Sequence, residues 1–285
     1  MVGTSISNTY TLVFTPEPRL ESSFSFQSYI FMSLFFPSLP FWSWIGLFSS
    51  AYFIGMAKGG IKGTALLVIP IMAIIFGGKV SSGIVLPMLL FADLFAVRHY
   101  KGHTEWKTLW KLLPMALLGI IMGHYLGMYV SDAIFKLWMA GIVFGSLTLM
   151  LMQTKGLVNE KMVGHPIFAS IIGLLGGFST MVGNAAGPIM SVYLLGLKLP
   201  KLLFLGTGAW FYLTVNIMKL PFHIFSWKTI NAESLILNIM GIPFLVFGFF
   251  SGTWIVQHLE EKTFRKLVIW MTLLAAARLL FDVWF

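Results

Sequence analysis

Residues 55–63 of the chain read GMAKGGIKG, a stretch of four glycines and two lysines, Lys58 and Lys62, between two apolar runs. The flanking residues 41–57 and 64–78 contain no charged side chain. Glycine adopts backbone geometries that other residues resist, and an ionisable group buried at membrane depth marks a functional site. The stretch therefore predicts a break between two apolar helices, at a point where two ammonium groups meet an apolar environment.

Composition sets the class of protein. Hydrophobic residues make up 58% of the 285 residues and charged residues 10%, against about 25% charged in soluble domains, and the mean hydropathy is +0.86. The net charge of +9 fits lysine and arginine concentrated in cytoplasmic loops better than a nucleic-acid partner. With no cysteine, disulfides and thiolate metal sites are excluded. We predict an all-α polytopic protein of the inner (plasma) membrane, in contact with the lipid bilayer, without cofactor or metal.

Ten apolar segments are candidates for membrane helices. Residues 41–285 are predicted to form one transmembrane domain, whereas residues 1–40 form a polar tail, without a signal peptide, that ends in a candidate interfacial segment. A helix rises about 1.5 Å per residue and the hydrocarbon core is about 30 Å thick. The two short segments 63–78 and 184–197 are therefore expected to be broken or re-entrant. The total is then eight to ten segments. The candidates are 41–57, 63–78, 80–98, 110–130, 135–153, 163–181, 184–197, 202–220, 232–257 and 266–284.

The sequence repeats itself. WKTL at 106–109 recurs as WKTI at 227–230, at an offset of 121 residues, and Gly55 and Gly176 share that offset. The pair Gly123 and Gly127 recurs as Gly248 and Gly252, which predicts close helix packing at both places. We interpret residues 41–155 and 163–284 as two repeats of five segments. Because five is odd, the second repeat enters from the opposite side of the membrane, which makes the repeats inverted.

Charge supports this topology. If the ten segments cross, or the short pairs are re-entrant, thirteen lysines and arginines lie on one side and six on the other. The richer side is predicted to be cytoplasmic, with both termini outside.

The second repeat carries a counterpart of the first glycine stretch, GGFSTMVGNAAGP at residues 176–188. Unwound backbone within a membrane is tolerated only where it is buried in protein or lines a cavity. The helices that follow, from about Thr64 and Ala185, would direct their N-terminal N–H groups at that cavity, and helix N-termini attract anions. Breaks at matching positions of two repeats point to the substrate site of a transporter.

The two motifs GMAKGGIKGTALLVIP (55–70) and GLLGGFSTMVGNAAGPIMSVYLL (173–195) resemble those of the sulfite exporter TauE/SafE family. The resemblance covers residues 41–284; the two lysines in the first motif and Asn-Ala-Ala-Gly in the second depart from the family's usual pattern. It implies a secondary transporter that moves a small anion, often sulfur-containing, such as sulfite, thiosulfate or an organosulfonate.

The candidate substrate-binding residues each have a second interpretation. The two lysines are either anion ligands or cytoplasmic loop residues, and the polar residues of the second motif are either substrate contacts or helix caps. Asn216 shares a helix face with Lys219, which either lines the cavity or extends to the interface. The predicted set is Lys58, Gly59, Gly60, Lys62, Gly63, Ser179, Thr180, Gly183, Asn184 and Asn216.

Two further residues are candidates for coupling transport to protons. Asp93 is either a proton-coupling carboxylate or one member of an interfacial pair with Arg98, and His124 is either a proton relay or a packing residue.

Other functions are weaker. A phosphate-binding loop requires lysine directly after its last glycine, but Ile61 intervenes here. His99 and His103 have the spacing of helical metal ligands, which leaves a membrane metalloenzyme as a minor alternative to the prediction that the chain is not an enzyme. An anion channel is a further alternative, since the inverted repeat is the only feature that favours a transporter over a channel. The sequence does not predict the oligomeric state.

The topology predicts the accessibility of single cysteines in a chain that has none. An impermeant thiol reagent added to intact cells should label a Ser5→Cys variant and leave a His103→Cys variant unlabelled until the cells are opened. Labelling of position 103 but not position 5 in intact cells would reverse the assignment.

Overall fold

The computed structural model describes residues 39–61, 64–154 and 160–260, with residues 262, 263, 266 and 270. These residues form α-helices and one π-helical turn, and no strand is present among them. The helices are α1 Phe41–Gly59, α2 Ala65–Phe76, α3 Gly78–His99, α4 Trp106–Tyr129, α5 Asp132–Thr154, α6 Glu160–Gly164, α7 Pro166–Gly183, α8 Ala186–Gly196, α9 Lys201–Pro221 and α10 Ala232–His258, with the π turn Phe222–Ser226 after α9.

The all-helical prediction is confirmed for this part of the chain. The helices follow nine of the ten predicted segments, whereas most of the tenth, 266–284, and nearly all of the N-terminal tail lie outside the described residues. Four of the described helices, α3, α4, α7 and α10, are long and apolar enough to cross a membrane, and α8 is apolar but shorter. The chain is therefore a multi-pass membrane protein.

Local sequence explains where several helices begin. Pro166 occupies the first position of α7, where a backbone N–H would have no acceptor within the helix, so that proline is tolerated there. The His165 ring accepts a hydrogen bond from the Ile167 amide at 3.3 Å. Helix α10 begins with a reciprocal capping box: Asn231 Oδ1 accepts from the Ser234 amide at 2.8 Å, and Ser234 Oγ accepts from the Asn231 amide at 2.9 Å. Such caps satisfy N–H groups that have no acceptor within the helix.

Two helix pairs come into backbone contact at glycines. A Cβ atom at Gly55 of α1 would overlap the carbonyl oxygen of Leu245 in α10, and one at Gly248 would overlap that of Tyr52. Small residues at membrane-helix interfaces allow such close approach. The prediction that Gly248 and Gly252 permit close helix packing is confirmed, since a Cβ at Gly252 would crowd the backbone of Met56.

Helices α4 and α7 repeat the arrangement. A Cβ at Gly119 of α4 would overlap the carbonyl oxygen of Leu174, and one at Gly177 of α7 would overlap that of Ala116. Gly123 also packs closely, against Met181 and Phe178. Helix α1 thus lies against α10 of the other half of the chain, and α7 lies against α4.

Two apolar clusters accompany these pairs. One joins α4, α7, α8 and α9 around Leu112, Ile172, Tyr193 and Phe211. The other joins α1, α2, α3 and α10 around Leu47, Met72, Met88 and Leu245.

The glycine contacts predict a difference between two otherwise similar substitutions. Gly177→Ala forces a methyl group against the α4 backbone and should lower the stability by about 1–3 kcal/mol. In the described part of the chain no atom lies within 4 Å of a Cβ built at Gly141 of α5, so that Gly141→Ala should be neutral or stabilising by up to about 1 kcal/mol. Melting curves of the purified variants test this, and equal melting temperatures would contradict the close contact.

Candidate functional site

The first glycine stretch ends one helix and starts another. Helix α1 stops at Gly59, and Gly60 adopts φ 133°, a conformation open to glycine but strained for other residues. Thr64 precedes α2, and its hydroxyl lies 3.0 Å from the carbonyl oxygen of Phe53 in α1 and 2.9 Å from that of Ile61. The side chain of Thr64 therefore ties the start of α2 to α1. Lys62 and Gly63 lie outside the described residues.

The second glycine stretch contains an equivalent break. Helix α7 ends at Gly183, and Asn184 caps it in the left-handed conformation with φ 56°. The amides of Asn184 and Ala185 donate to the carbonyl oxygens of Thr180 and Ser179 at 3.0 and 3.2 Å. Helix α8 begins immediately afterwards, at Ala186. Asn184 therefore ends α7 through its backbone, whereas the predicted side-chain cap at the start of α8 is absent, since Ala185 precedes α8 without a side-chain cap hydrogen bond.

A small cavity lies where the two breaks meet. Its volume is about 40 Å³, and its wall includes the first residues of both α2 and α8. The first N–H groups of a helix have no acceptor within the helix and carry a partial positive charge. The lining residues are Ala57, Lys58, Ala65, Leu89, Thr180, Asn184, Ala186, Gly187, Tyr212 and Asn216. A second cavity of about 20 Å³ shares Ala65, Leu89 and Asn184 with the first and extends to Ser81, Ser82 and Gly183.

Lys58 supplies an ammonium group to the cavity wall. Its Nζ lies 2.6 Å from Asp93 Oδ1 of α3, and the two side chains are 8% and 0% exposed. The other carboxylate oxygen, Oδ2, accepts a hydrogen bond from Asn216 Nδ2 of α9 at 2.6 Å. The Lys58 ammonium also lies 4.3 Å from the centre of the Tyr212 ring, at cation–π distance. A buried ion pair with these supporting contacts joins α1, α3 and α9.

Lys219 is a second buried lysine, one layer behind the cavity wall. It is 0% exposed, and its Nζ donates to Asn184 Oδ1 at 2.5 Å, to the Thr180 carbonyl oxygen at 3.0 Å and to Thr180 Oγ1 at 3.1 Å. Three acceptors match the three donors of a lysine ammonium. Asn184 in turn donates through Nδ2 to the carbonyl oxygen of Ser82 in α3 at 3.0 Å.

Lys58 and the two helix N-termini place positive charge at the cavity. The Lys58 ammonium is paired with the Asp93 carboxylate, and α2 and α8 both begin at the cavity wall, where helix N-termini carry a partial positive charge. Coulomb interactions are stronger away from water than in it.

The structure brings together part of the predicted substrate-binding set. Lys58, Thr180, Asn184 and Asn216 line the larger cavity, and Gly183 lines the smaller one.

Other members of the set lie apart from the cavity lining. The Gly59 carbonyl oxygen accepts from the Tyr100 hydroxyl at 2.5 Å, Gly60 packs against Val256, and Ser179 Oγ donates to the Gly176 carbonyl oxygen at 3.1 Å.

Two sequence-based interpretations are wrong. The interfacial pairing of Asp93 with Arg98 does not hold, because Asp93 is buried against Lys58 whereas Arg98 is exposed. The extension of Lys219 to the interface does not hold either, since polar acceptors on α7 and in the α7–α8 break bind its ammonium in the interior.

The histidines occupy two other places. His124 of α4 contacts Ser226 at 3.4 Å through Nε2 and packs on the rings of Phe222 and Trp227, which places it beside the π turn. His99 ends α3 against Phe249, and His103 is exposed. No group of three potential metal ligands occurs within the described ranges.

Sequence reasoning missed Tyr212 and Ser82. One face of α9 carries Tyr212, Asn216 and Lys219, at positions i, i+4 and i+7. The spacing of four residues from Asn216 could therefore have indicated that Tyr212 lines the same cavity. Ser82 contributes only a backbone carbonyl oxygen, for which side-chain chemistry gives no signal.

The helices and the polar cavity between the two breaks define a polytopic membrane protein. The model of the family Sulfite exporter TauE/SafE matches residues 47–279. The chain belongs to this family, whose name implies a membrane transporter of sulfur-containing anions. No curated protein and no solved structure matches the chain.

The buried ion pair predicts a non-additive pair of substitutions. Lys58→Met leaves the Asp93 carboxylate buried without its cation and should lower the stability by about 3–5 kcal/mol. Adding Asp93→Asn removes that charge and should recover part of the loss. Melting curves of the two single variants and the double variant measure the coupling, and additive losses would contradict the ion pair.

Proposed function

We propose that the chain is a secondary transporter of a small sulfur-containing anion, such as sulfite, thiosulfate or an organosulfonate, across the bacterial inner membrane. The anion binds in the cavity between the two helix breaks and crosses by alternating access. Family membership supports the class of substrate, and the chemistry of the cavity supports the site.

The observation that carries the proposal is the buried Lys58 ammonium at a cavity where α2 and α8 both begin. Helix N-termini donate N–H groups to anions without a counter-charge of their own. A lysine adds a full charge to these partial charges. Cations are repelled by the same arrangement, and neutral sugars gain nothing from it.

The reciprocal helix pairs support alternating access. Helices α1 and α10 form one closely packed pair and α4 and α7 the other, and each pair carries one side of the cavity through Lys58 or Thr180. Movement of one pair against the other would open the cavity on alternate sides, as expected for inverted repeats. In this proposal α1 with α2 and α7 with α8 act as re-entrant or broken segments of the repeats 41–155 and 163–284.

The proposed ligands fall into three groups. The side chains of Lys58, Asn184 and Asn216 line the cavity, and Lys219 supplies charge from behind Asn184. The backbone of the two breaks contributes N–H groups. The remaining proposed contacts are Thr180 and Gly183, with Lys62 and Gly63 from beyond the described residues. Gly59, Gly60 and Ser179, which lie apart from the cavity lining, stay predictions from the sequence.

A counterflow measurement tests the mechanism. Proteoliposomes loaded with unlabelled thiosulfate should accumulate external labelled thiosulfate faster than empty ones, because an alternating-access transporter exchanges substrate across the membrane. Flux of thiosulfate or sulfite without such stimulation would indicate an anion channel instead. Transport of cations or sugars with no response to anions would overturn the proposal.

Asn184→Gly tests the site itself. Glycine keeps the left-handed conformation and removes the amide group, so that thiosulfate affinity should fall about tenfold or more, as expected for loss of a hydrogen bond in a charged site at about 1.5–3 kcal/mol. The matched control is Lys228→Gly, which removes an exposed charge at φ 50° and should leave the affinity unchanged. Equal affinity in both variants would contradict the assignment of the cavity.

A further inference from the structure

Asn216 of α9 has a buried acceptor oxygen at the wall of the larger cavity. The residue is 2% exposed and belongs to the cavity lining. Within the part of the chain that the structure describes, no donor lies within hydrogen-bond distance of Asn216 Oδ1. Buried polar atoms without a partner are rare in proteins, and one at the wall of a cavity calls for an explanation.

The contact with Asp93 decides which atom of the Asn216 amide is the oxygen. The two atoms exchange places when an amide is turned over, so that their assignment depends on the neighbours. One amide atom lies 2.6 Å from Asp93 Oδ2, and the other oxygen of that carboxylate lies 2.6 Å from the Lys58 ammonium. A carboxylate paired with a cation accepts hydrogen bonds and donates none. The atom beside Asp93 is therefore the Nδ2 donor, and Oδ1 is the atom without a partner.

The same contact determines which amide atom is available to a ligand. Asp93 lies outside the cavity lining, whereas Asn216 belongs to it. Because Asp93 binds Nδ2, Oδ1 is the amide atom that remains for the cavity. Asn216 therefore adds an acceptor to a wall whose other features, Lys58 and the two helix N-termini, suit negative charge.

We propose that Asn216 Oδ1 accepts a hydrogen bond from the transported anion, and that the site therefore prefers anions that carry an O–H or N–H donor beside the acidic group. Hydrogensulfite and sulfonates with a hydroxyl or amino substituent belong to this class, whereas thiosulfate and unsubstituted alkanesulfonates do not. The inference rests on the proposed function and specifies its substrate class. Asn216 then distinguishes between anions, while Lys58 and the helix N-termini bind their charge.

The preference follows from the cost of leaving Oδ1 unpaired. In the empty protein a water molecule can donate to this oxygen, because the cavity volume of about 40 Å³ exceeds what one water requires. An anion that binds in the cavity displaces such a water. An anion without a donor leaves Oδ1 unpaired beside its own negative oxygens, whereas an anion with a donor replaces the lost hydrogen bond.

Two anions of equal charge and similar size test the preference. Sulfamate carries an amino group on sulfur where methanesulfonate carries a methyl group, and both are monoanions near neutral pH. The purified protein should bind sulfamate about two- to tenfold more tightly than methanesulfonate, as expected for one hydrogen bond between uncharged groups. Titration calorimetry measures both affinities. Equal affinities, or tighter binding of methanesulfonate, overturn the inference.

Asn216→Leu removes the acceptor and keeps a side chain of similar size. The variant also loses the hydrogen bond to Asp93, but that loss affects both anions alike, so that the ratio of the two affinities reports on Oδ1. The ratio should fall to about one. A ratio that stays at the wild-type value in this variant overturns the role of Asn216.

The matched control for this variant is Asn238→Leu in α10. It removes another buried amide, which donates to the Ile84 carbonyl oxygen at 3.0 Å and lies outside the cavity lining. Its stability should fall as well, because a buried hydrogen bond is lost. Its ratio of sulfamate to methanesulfonate affinity should equal that of the wild type, which separates a general loss of stability from the loss of the acceptor.

A second pair of anions makes the test independent of any variant. Hydroxymethanesulfonate and ethanesulfonate differ by a hydroxyl group in place of a methyl group. The wild-type protein should prefer the hydroxyl compound, as it prefers sulfamate in the first pair. Absence of a preference in either pair overturns the inference, even where Asn216→Leu is too unstable to purify.

The outcomes separate this inference from the proposed function. Equal affinity for the two members of a pair, with transport of sulfite and thiosulfate intact, overturns the role of Asn216 alone. Failure of all these anions to bind or to be transported overturns the proposed function and this inference together.

Discussion

The Lys58–Asp93 ion pair is the interaction on which the arrangement of the site depends. It joins α1 to α3, and Asn216 of α9 donates a hydrogen bond to the same carboxylate. Lys219, also of α9, donates to Asn184 and Thr180. The Asn184 side chain donates in turn to the Ser82 carbonyl oxygen of α3. The polar groups therefore form a continuous series of contacts across four helices. Within an apolar surrounding no water replaces a lost partner, so that the contacts hold the broken helix ends in place together.

The positions of the helices and of both breaks follow from the sequence, because apolar runs interrupted by glycine have few alternatives in a membrane. The partner of Asp93 did not follow. Arg98, five residues away, is the nearest cation in the sequence, whereas Lys58 lies on another helix. Pairing between helices depends on their relative rotation and axial position. These are set by contacts such as Gly55 against Leu245, which hydrophobic periodicity does not encode.

Helices α1 and α7 each combine a packing face with a functional face. In α1, Gly55 and Gly59 lie against α10 while Lys58 lines the cavity. In α7, Gly173 and Gly177 lie against α4 while Thr180 lines the cavity. Glycine thus has two roles in the same helices, since it allows close contact on one face and a change of chain direction at the end. This explains why the glycine stretches predict the position of the cavity, although Gly59 and Gly60 lie outside its lining.

The exchange of partners between the halves of the chain has a consequence for biogenesis. Gly55 and Gly59 of α1 pack against α10, which begins at Ala232, and ribosomal synthesis at about 5–20 residues per second separates the two helices by tens of seconds at the slower rate. The α1 glycines lack this partner during that interval. Neither half can complete its own tertiary structure, and the cavity, which needs α1, α7 and α9, is assembled only late in synthesis. A chain truncated before α10 therefore leaves the ribosome with Gly55 and Gly59 exposed, as a target for membrane quality control.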